Sequence, residues 1–270
     1  MKRVILVIVV TAIFILDTAN AQTEQDKPWL YVLAIGISNY DNPDLRLQFP
    51  AKDASDFIQV MLRQSGLQYM GVNIKLLTDK RATADNIRDE LSWLQTVTTN
   101  RDVAMLFIAG REVNDNNGNF FFMPVNADID RISATCVSYM DIKRTISAVA
   151  GKLMVFMDAC HSDNAQQRAG LITQAVRELI GADGPVVFTS SAGCQFSLEA
   201  PEWNNGVFTK ALVEGLAGKA DLSDEKIITI NSLDYYIANR LNELTEGRQT
   251  LTTIVSRSIP LDFPIAVVTD

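Results

Sequence analysis

Leu153-Met-Val-Phe-Met-Asp158-Ala-Cys160-His161-Ser162 sets an apolar run of strand length against an acid, a small residue, a cysteine and two polar residues. A parallel strand covered on both faces reads as such an unbroken apolar run. Open α/β sheets place their chemistry at the carboxyl ends of their strands, and here that end presents the thiol of Cys160. Three more apolar, β-branched runs read as inner strands: Leu30 to Ile37, Val103 to Ile108 and Val186 to Thr189. Val72 to Leu77 reads as a more exposed one.

Amphipathic segments with helical spacing lie between these runs. Ala51 to Gln64 places Phe57, Val60 and Met61 on one face, and Thr83 to Val97 aligns Ile87, Leu91, Leu94 and Val97 behind an N-cap at Thr83. Lys143 to Val149 and Ala165 to Ile180 follow, the latter ended by Gly181. Further on, Val207 to Leu216 is ended by Gly218, and Ser232 to Leu244, with an apolar stripe of Leu233, Ile237, Leu241 and Leu244, by Gly247. Strands alternating with helices of this length imply right-handed crossovers and a mostly parallel sheet. Pro264 to Val268 reads as a final edge strand behind its proline. The polar patch Asn114 to Asn119 carries Asn117-Gly118 between Val113 and Phe120, a hairpin signal. It lacks the alternating ligands and closing glutamate of a calcium loop. No repeat, low-complexity linker or internal domain boundary interrupts the chain.

The amino terminus has a basic start, Met1-Lys2-Arg3, a short apolar stretch from Val4 to Leu16, and Ala19-Asn-Ala21. These are the three parts of a secretory signal cleaved after Ala21. The stretch is shorter than the ~20 apolar residues a membrane span needs. The expected mature protein is exported, periplasmic or secreted, without a stable membrane anchor. The formal charge is −8, and loss of Lys2, Arg3 and Asp17 removes a net +1 to leave −9. An acidic chain without basic clusters argues against nucleic acid and anionic membrane surfaces as partners. Three cysteines, Cys136, Cys160 and Cys194, leave at least one thiol unpaired. Without a Cys-x-x-Cys pair or a second histidine, a structural zinc site is not expected.

The Asp158-Ala-Cys160-His161-Ser162 run resembles the nucleophile segment of the caspase-like cysteine peptidases, in particular metacaspases and their bacterial relatives, the orthocaspases. Leu33-Ala-Ile-Gly-Ile-Ser-Asn-Tyr40 is similar to that family's first strand and loop. Leu47 through Lys52-Asp53-Ala54 is similar to its Leu-x-x-x-x-Asn-Asp-Ala segment, with Lys52 for the usual Asn. Phe107 to Pro124 has the shape of its third strand, histidine turn, hairpin and Leu-Pro exit, with Met123 for Leu. Thr189-Ser-Ser191, Ser197-Leu-Glu199 and Gly206-Val-Phe-Thr209 resemble the start of the small-subunit region, and Gln249 to Thr253 and Pro260 to Val268 the ending of bacterial members. The resemblance implies a three-layer caspase-like (caspase-hemoglobinase) α/β fold: a mostly parallel six-stranded sheet with helices on both faces. It implies one domain over 22–270, with a p20-like part over about 29–165 and a p10-like part over about 183–270.

The family's general base is a histidine in a Ser-Gly-His-Gly turn. The matching turn here is Ala109-Gly110-Arg111-Glu112, and the chain's one histidine is His161. Cys160 takes the nucleophile position. A guanidinium stays protonated, so Arg111 cannot accept the thiol proton or pass one to a leaving amine. It can lower the thiol pKa as a nearby cation. Adjacent residues of an extended strand project to opposite faces, which argues against His161 as the base of its neighbour. Glu112 stands at the oxyanion-turn position, where an anion opposes the charge that develops. By resemblance, Asp53 and Asp158 line a pocket for a basic P1 side chain, with Ala109 beside it in place of a small hydroxyl residue. The competing reading is that Asp53 flanks the first helix and Asp158 bonds loop amides. The resemblance admits calcium, but no residues are identified as its site; no other cofactor and no metal site are expected. Three functions stay open: a pseudoprotease that binds a peptide or protein through the old cleft, an active endopeptidase cutting after Arg or Lys, and a thiol redox role involving Cys160 and Cys194, for which a disulfide between them is one arrangement. Partner identity and oligomeric state are not legible.

Overall fold

The structure, a computed structural model, describes residues 27–161, 184–190, 199–200 and 203–269, with 159–161, 190 and 199–200 as backbone. The leader-like segment, the expected helix over Ala165 to Ile180, and Cys194 lie outside the described residues. The apolar runs form β1 (Leu30–Gly36), β2 (Val72–Thr78), β3 (Val103–Asn114), β4 (Phe120–Phe122), β5 (Val137–Ser138), β6 (Lys152–His161) and β7 (Val186–Ser190). Short strands β8 (Glu199–Ala200), β9 (Asn205–Gly206) and β10 (Ile227–Thr229) precede β11 (Leu251–Ile254) and β12 (Pro264–Val267). The main sheet runs β11-β7-β6-β3-β1-β2, parallel except for β11, with β4 and β5 appended beside β3. This is the six-stranded, mostly parallel sheet expected.

Alternation along these strands divides the core between two helical layers. On one face Met105, Phe107, Met154 and Phe156 pack with α1 (Pro50–Leu62) through Ala54, Phe57 and Met61. Phe57 stacks on Phe107 at 5.0 Å between ring centroids, and Phe156 on Phe188 at 5.1 Å. On the other face Leu106, Ile108, Val155 and Met157 meet Ile87, Leu91 and Leu94 of α2 (Ala84–Val97) and Ile142 and Ile146 of α3 (Tyr139–Ala148). The first layer also takes Phe208 and Leu212 of α4 (Val207–Glu214) and Leu233, Ile237 and Leu241 of α5 (Ile230–Thr245). Thr83 caps α2 by accepting from Asn86 N, as expected. No described helix is long and apolar enough to cross a membrane.

Three expectations are corrected. β3 and β6 run past their apolar cores, because the polar residues at their ends still pair backbone to backbone. α3 begins at Tyr139, four residues before Lys143. Its cap is Ser138, whose Oγ accepts from Asp141 N at 3.0 Å, and the exposed Met140 in its first turn breaks the apolar face that periodicity follows. The final strand does not edge the main sheet. β12 pairs antiparallel with β10 in a separate two-stranded sheet, held by Gln64, whose side-chain amide exchanges both hydrogen bonds with Val267 as a strand neighbour would. The edge strand is β11, antiparallel to β7. The hairpin expected at Asn117-Gly118 forms between β3 and β4. Asp115 accepts from the backbone of Asn117 and Asn119, and only Gly118 in that loop adopts positive φ, at 83°.

Candidate active site

The site forms where β3 and β6 run side by side beyond the apolar core. Their parallel register pairs Ala109 with Asp158, Gly110 with Ala159, Arg111 with Cys160 and Glu112 with His161. Neighbouring strands lie ~4.8 Å apart, so Arg111, the candidate for the base position, stands directly across from Cys160, the candidate nucleophile. Cys160 and His161 are consecutive residues of one unbroken strand.

The loop after β1 clamps the Arg111 turn. The buried Tyr40 hydroxyl accepts from Arg111 N at 2.8 Å and donates to Met123 O at 3.3 Å, while Met123 N returns a bond to Arg111 O. Gly110 makes this approach possible. Its φ is +156°, and a Cβ there would stand 2.9 Å from the Tyr40 hydroxyl and 3.1 Å from the Phe122 ring, a backbone conformation that L side chains avoid. The Arg111 side chain is half-buried, and its Nε donates to Leu45 O at 2.7 Å.

Glu112 leads elsewhere. It is only 2 % exposed and its carboxylate accepts from the hydroxyl of Tyr139, at the start of α3. Strand alternation carries the Glu112 carboxyl into the α2–α3 layer, where the Tyr139 hydroxyl meets it.

The two candidate pocket acids converge on the first turn of α4. Asp53, 1 % exposed, accepts from Asn205 Nδ2 at 2.8 Å and from Gly206 N at 3.2 Å. Asp158, 4 % exposed, accepts from the Thr209 hydroxyl at 3.0 Å. Asn205 Nδ2 also donates to Asp56, which pairs with Lys52. A buried carboxylate is stable where the chain supplies donors, and an acid beside the N-terminus of α4 also opposes the helix dipole favourably. Ala109 is fully buried and lies in register between Gly36 and Asp158. Sequence reasoning did not find Tyr40, Tyr139, Asn205 or Thr209, since each acts through a fold contact at least 27 residues away in sequence. Cys136 is a free, buried thiol whose pKa burial pushes up. No group of three acidic, histidine or cysteine side chains suited to a metal occurs among the described residues.

A three-layer α/β architecture with a strand-end cysteine beside the turn of the preceding inner strand defines a caspase-like fold. The caspase-domain family model matches residues 30–259, and the chain belongs to that family. Among solved structures it resembles a protein of Geobacter sulfurreducens, at 17% identity and TM-score 0.60 over 90% of this chain and 100% of the other. It also resembles caspase-1 of Spodoptera frugiperda, at 12% identity and TM-score 0.56 over 86% of this chain and 87% of that one. At such identities these likenesses speak to the fold. No curated protein matches the chain.

Proposed function

We propose that this caspase-domain protein has lost peptidase turnover and uses its cleft to bind a peptide or protein. One observation carries the reading: the β3–β6 register sets Arg111 against Cys160. Acyl transfer by a cysteine needs a group that takes the thiol proton and later gives one to the leaving amine. A guanidinium does neither. Its Nε bond to Leu45 O and the Tyr40 clamp on its backbone hold it at that position. The second reading, an endopeptidase cutting after Arg or Lys, draws on the retained Asp53 and Asp158. Their burial and their internal donors weigh against it, because a basic side chain would have to displace Asn205 or Thr209. The leader-like amino terminus adds that the protein works outside the cytoplasm.

The test is hydrolysis of a positional-scanning peptide library by purified mature protein, with and without calcium, beside Cys160→Ala. We expect no cleavage above that variant in either condition. Cleavage that disappears in Cys160→Ala would make the protein a working peptidase.

A further inference from the structure

The Arg111 side chain is tethered by one nitrogen. Nε donates to Leu45 O, and neither terminal Nη has a partner among the described residues. Arg–carboxylate pairs are frequently bidentate, and acidic residues stand close to Arg111 in sequence and in register. Glu112 adjoins it in sequence and Asp158 lies on the neighbouring strand, two positions before Cys160, the register partner of Arg111, yet Arg111 forms no ion pair among the described residues. Glu112 takes the Tyr139 hydroxyl, Asp158 the Thr209 hydroxyl, and Asp53 Asn205 and Gly206. The same loop anchors a second arginine in the same way, with Arg46 Nε donating to Tyr40 O at 3.4 Å and its head exposed. The chain as a whole carries a formal charge of −8, and against it two guanidinium groups, of Arg111 on β3 and of Arg46 on the loop after β1, are tethered to that loop at the sheet's carboxyl end.

We propose that Arg111 is a carboxylate-binding residue and that the cleft receives the C-terminal carboxylate of a peptide. This rests on the reading of the cleft as a binding site without turnover. Nε fixes the plane of the guanidinium and leaves the Nη edge to meet a planar carboxylate with parallel hydrogen bonds. A chain terminus fits because its carboxylate sits on the backbone, within reach of the Cys160 strand end, and needs no side-chain pocket. Arg46 on the rim adds attraction at longer range.

The experiment uses full mature protein on a support and three pools of N-acetylated pentapeptides: one with free C-terminal carboxylates, the same pool amidated, and an amidated pool ending in aspartate. The wild type should retain the free-acid pool over the amidated pool by roughly tenfold to a hundredfold, the range for a charge-assisted paired bond. The aspartate-amide pool should behave as the amidated one. Arg111→Gln should erase the preference, and Arg111→Lys, which keeps charge but not the fork, should keep part of it. Raising salt from about 0.1 to about 1 M should shrink the wild-type preference, since screening then acts within a few ångströms. Equal retention of acid and amide pools would overturn the proposal, as would an undiminished preference in Arg111→Gln or at high salt. Aspartate-amide retention equal to the free acid would overturn the assignment to a chain terminus. Mass spectrometry of the eluted pools separates the two readings. Cut peptides sink the loss of turnover, while the acid-to-amide comparison can still be read with Cys160→Ala.

Discussion

The acids beneath α4 and the arginine opposite Cys160 lie at the same end of the same sheet and differ in how their charge is met. Asp53 and Asp158 are almost completely buried, and each accepts from a donor of its own chain in the 205–209 segment. Arg111 is half-buried, with one nitrogen on a backbone carbonyl. A retained residue is therefore not the same as an available one. The candidate pocket acids serve as fasteners between the α1–β6 side and α4, while Arg111 is the one with bonding capacity left.

The largest effect should come from changing that residue. Arg111→His, with Glu112 kept, should raise cleavage of a positional peptide library by about 10²-fold or more over wild type, the lower end of what a general base contributes. Adding Glu112→Gly should bring no further gain. It leaves the buried Tyr139 hydroxyl without its carboxylate, at a cost of roughly 2 kcal/mol, or about 4–8 °C in Tm for a chain of this size. A folded Arg111→His protein that cuts nothing would mean the two regions differ from a working site at more than one position.

The next effect tests the fasteners. Asp53→Ala leaves Asn205 Nδ2 with Asp56 alone and Gly206 N unpaired in the interior. Losing a buried charged acceptor costs roughly 3 kcal/mol, so Tm should fall by about 6–12 °C, and by less in Asp53→Asn, which keeps one oxygen in place. A shift of Asp53→Ala below about 1 °C would erase the comparison, since the acid would then not be holding 205–209 and would be open to a ligand.

The apolar strand cores and the faces of α1, α2 and α5 were legible because burial imposes a period on the sequence. Arg111 and Cys160 were legible as strand-end residues, and their mutual register follows from two parallel strands that continue past their apolar cores. The partners of Glu112, Asp53 and Asp158 were not. Tyr139, Asn205 and Thr209 carry no local mark, since a hydroxyl or amide on a helix start reads the same whether it faces water or a buried carboxylate. β11 was missed as a strand for a related reason. Leu251-Thr-Thr-Ile254 is half-buried throughout, without the alternation or the apolar run that identifies a strand.

The smallest effect concerns a charge that is met in full. Glu214 accepts from Lys210 and Lys219 at 3.2 Å each, and from Arg240 Nε at 3.0 Å and the Tyr236 hydroxyl at 3.1 Å. Burial alone would raise its pKa, but the three cations outweigh this and bring it from 4.5 to about 2. A carboxyl whose pKa is lowered by folding stabilises the native state above its unfolded pKa, and that contribution is lost as pH falls through the folded one. The stabilising effect of Glu214 should thus be complete above about pH 5 and fade between pH 4.5 and about 2. Lys219 is largely exposed, so solvent screening limits the network to about 1 kcal/mol, or about 2–4 °C in Tm. Glu214→Gln should lower Tm by that amount at pH 7, and the gap from wild type should close on acidification through this window. A gap that stays constant down to pH 2 would show that Glu214 acts by shape alone. It would then no longer serve as the fully paired counterpart to Arg111.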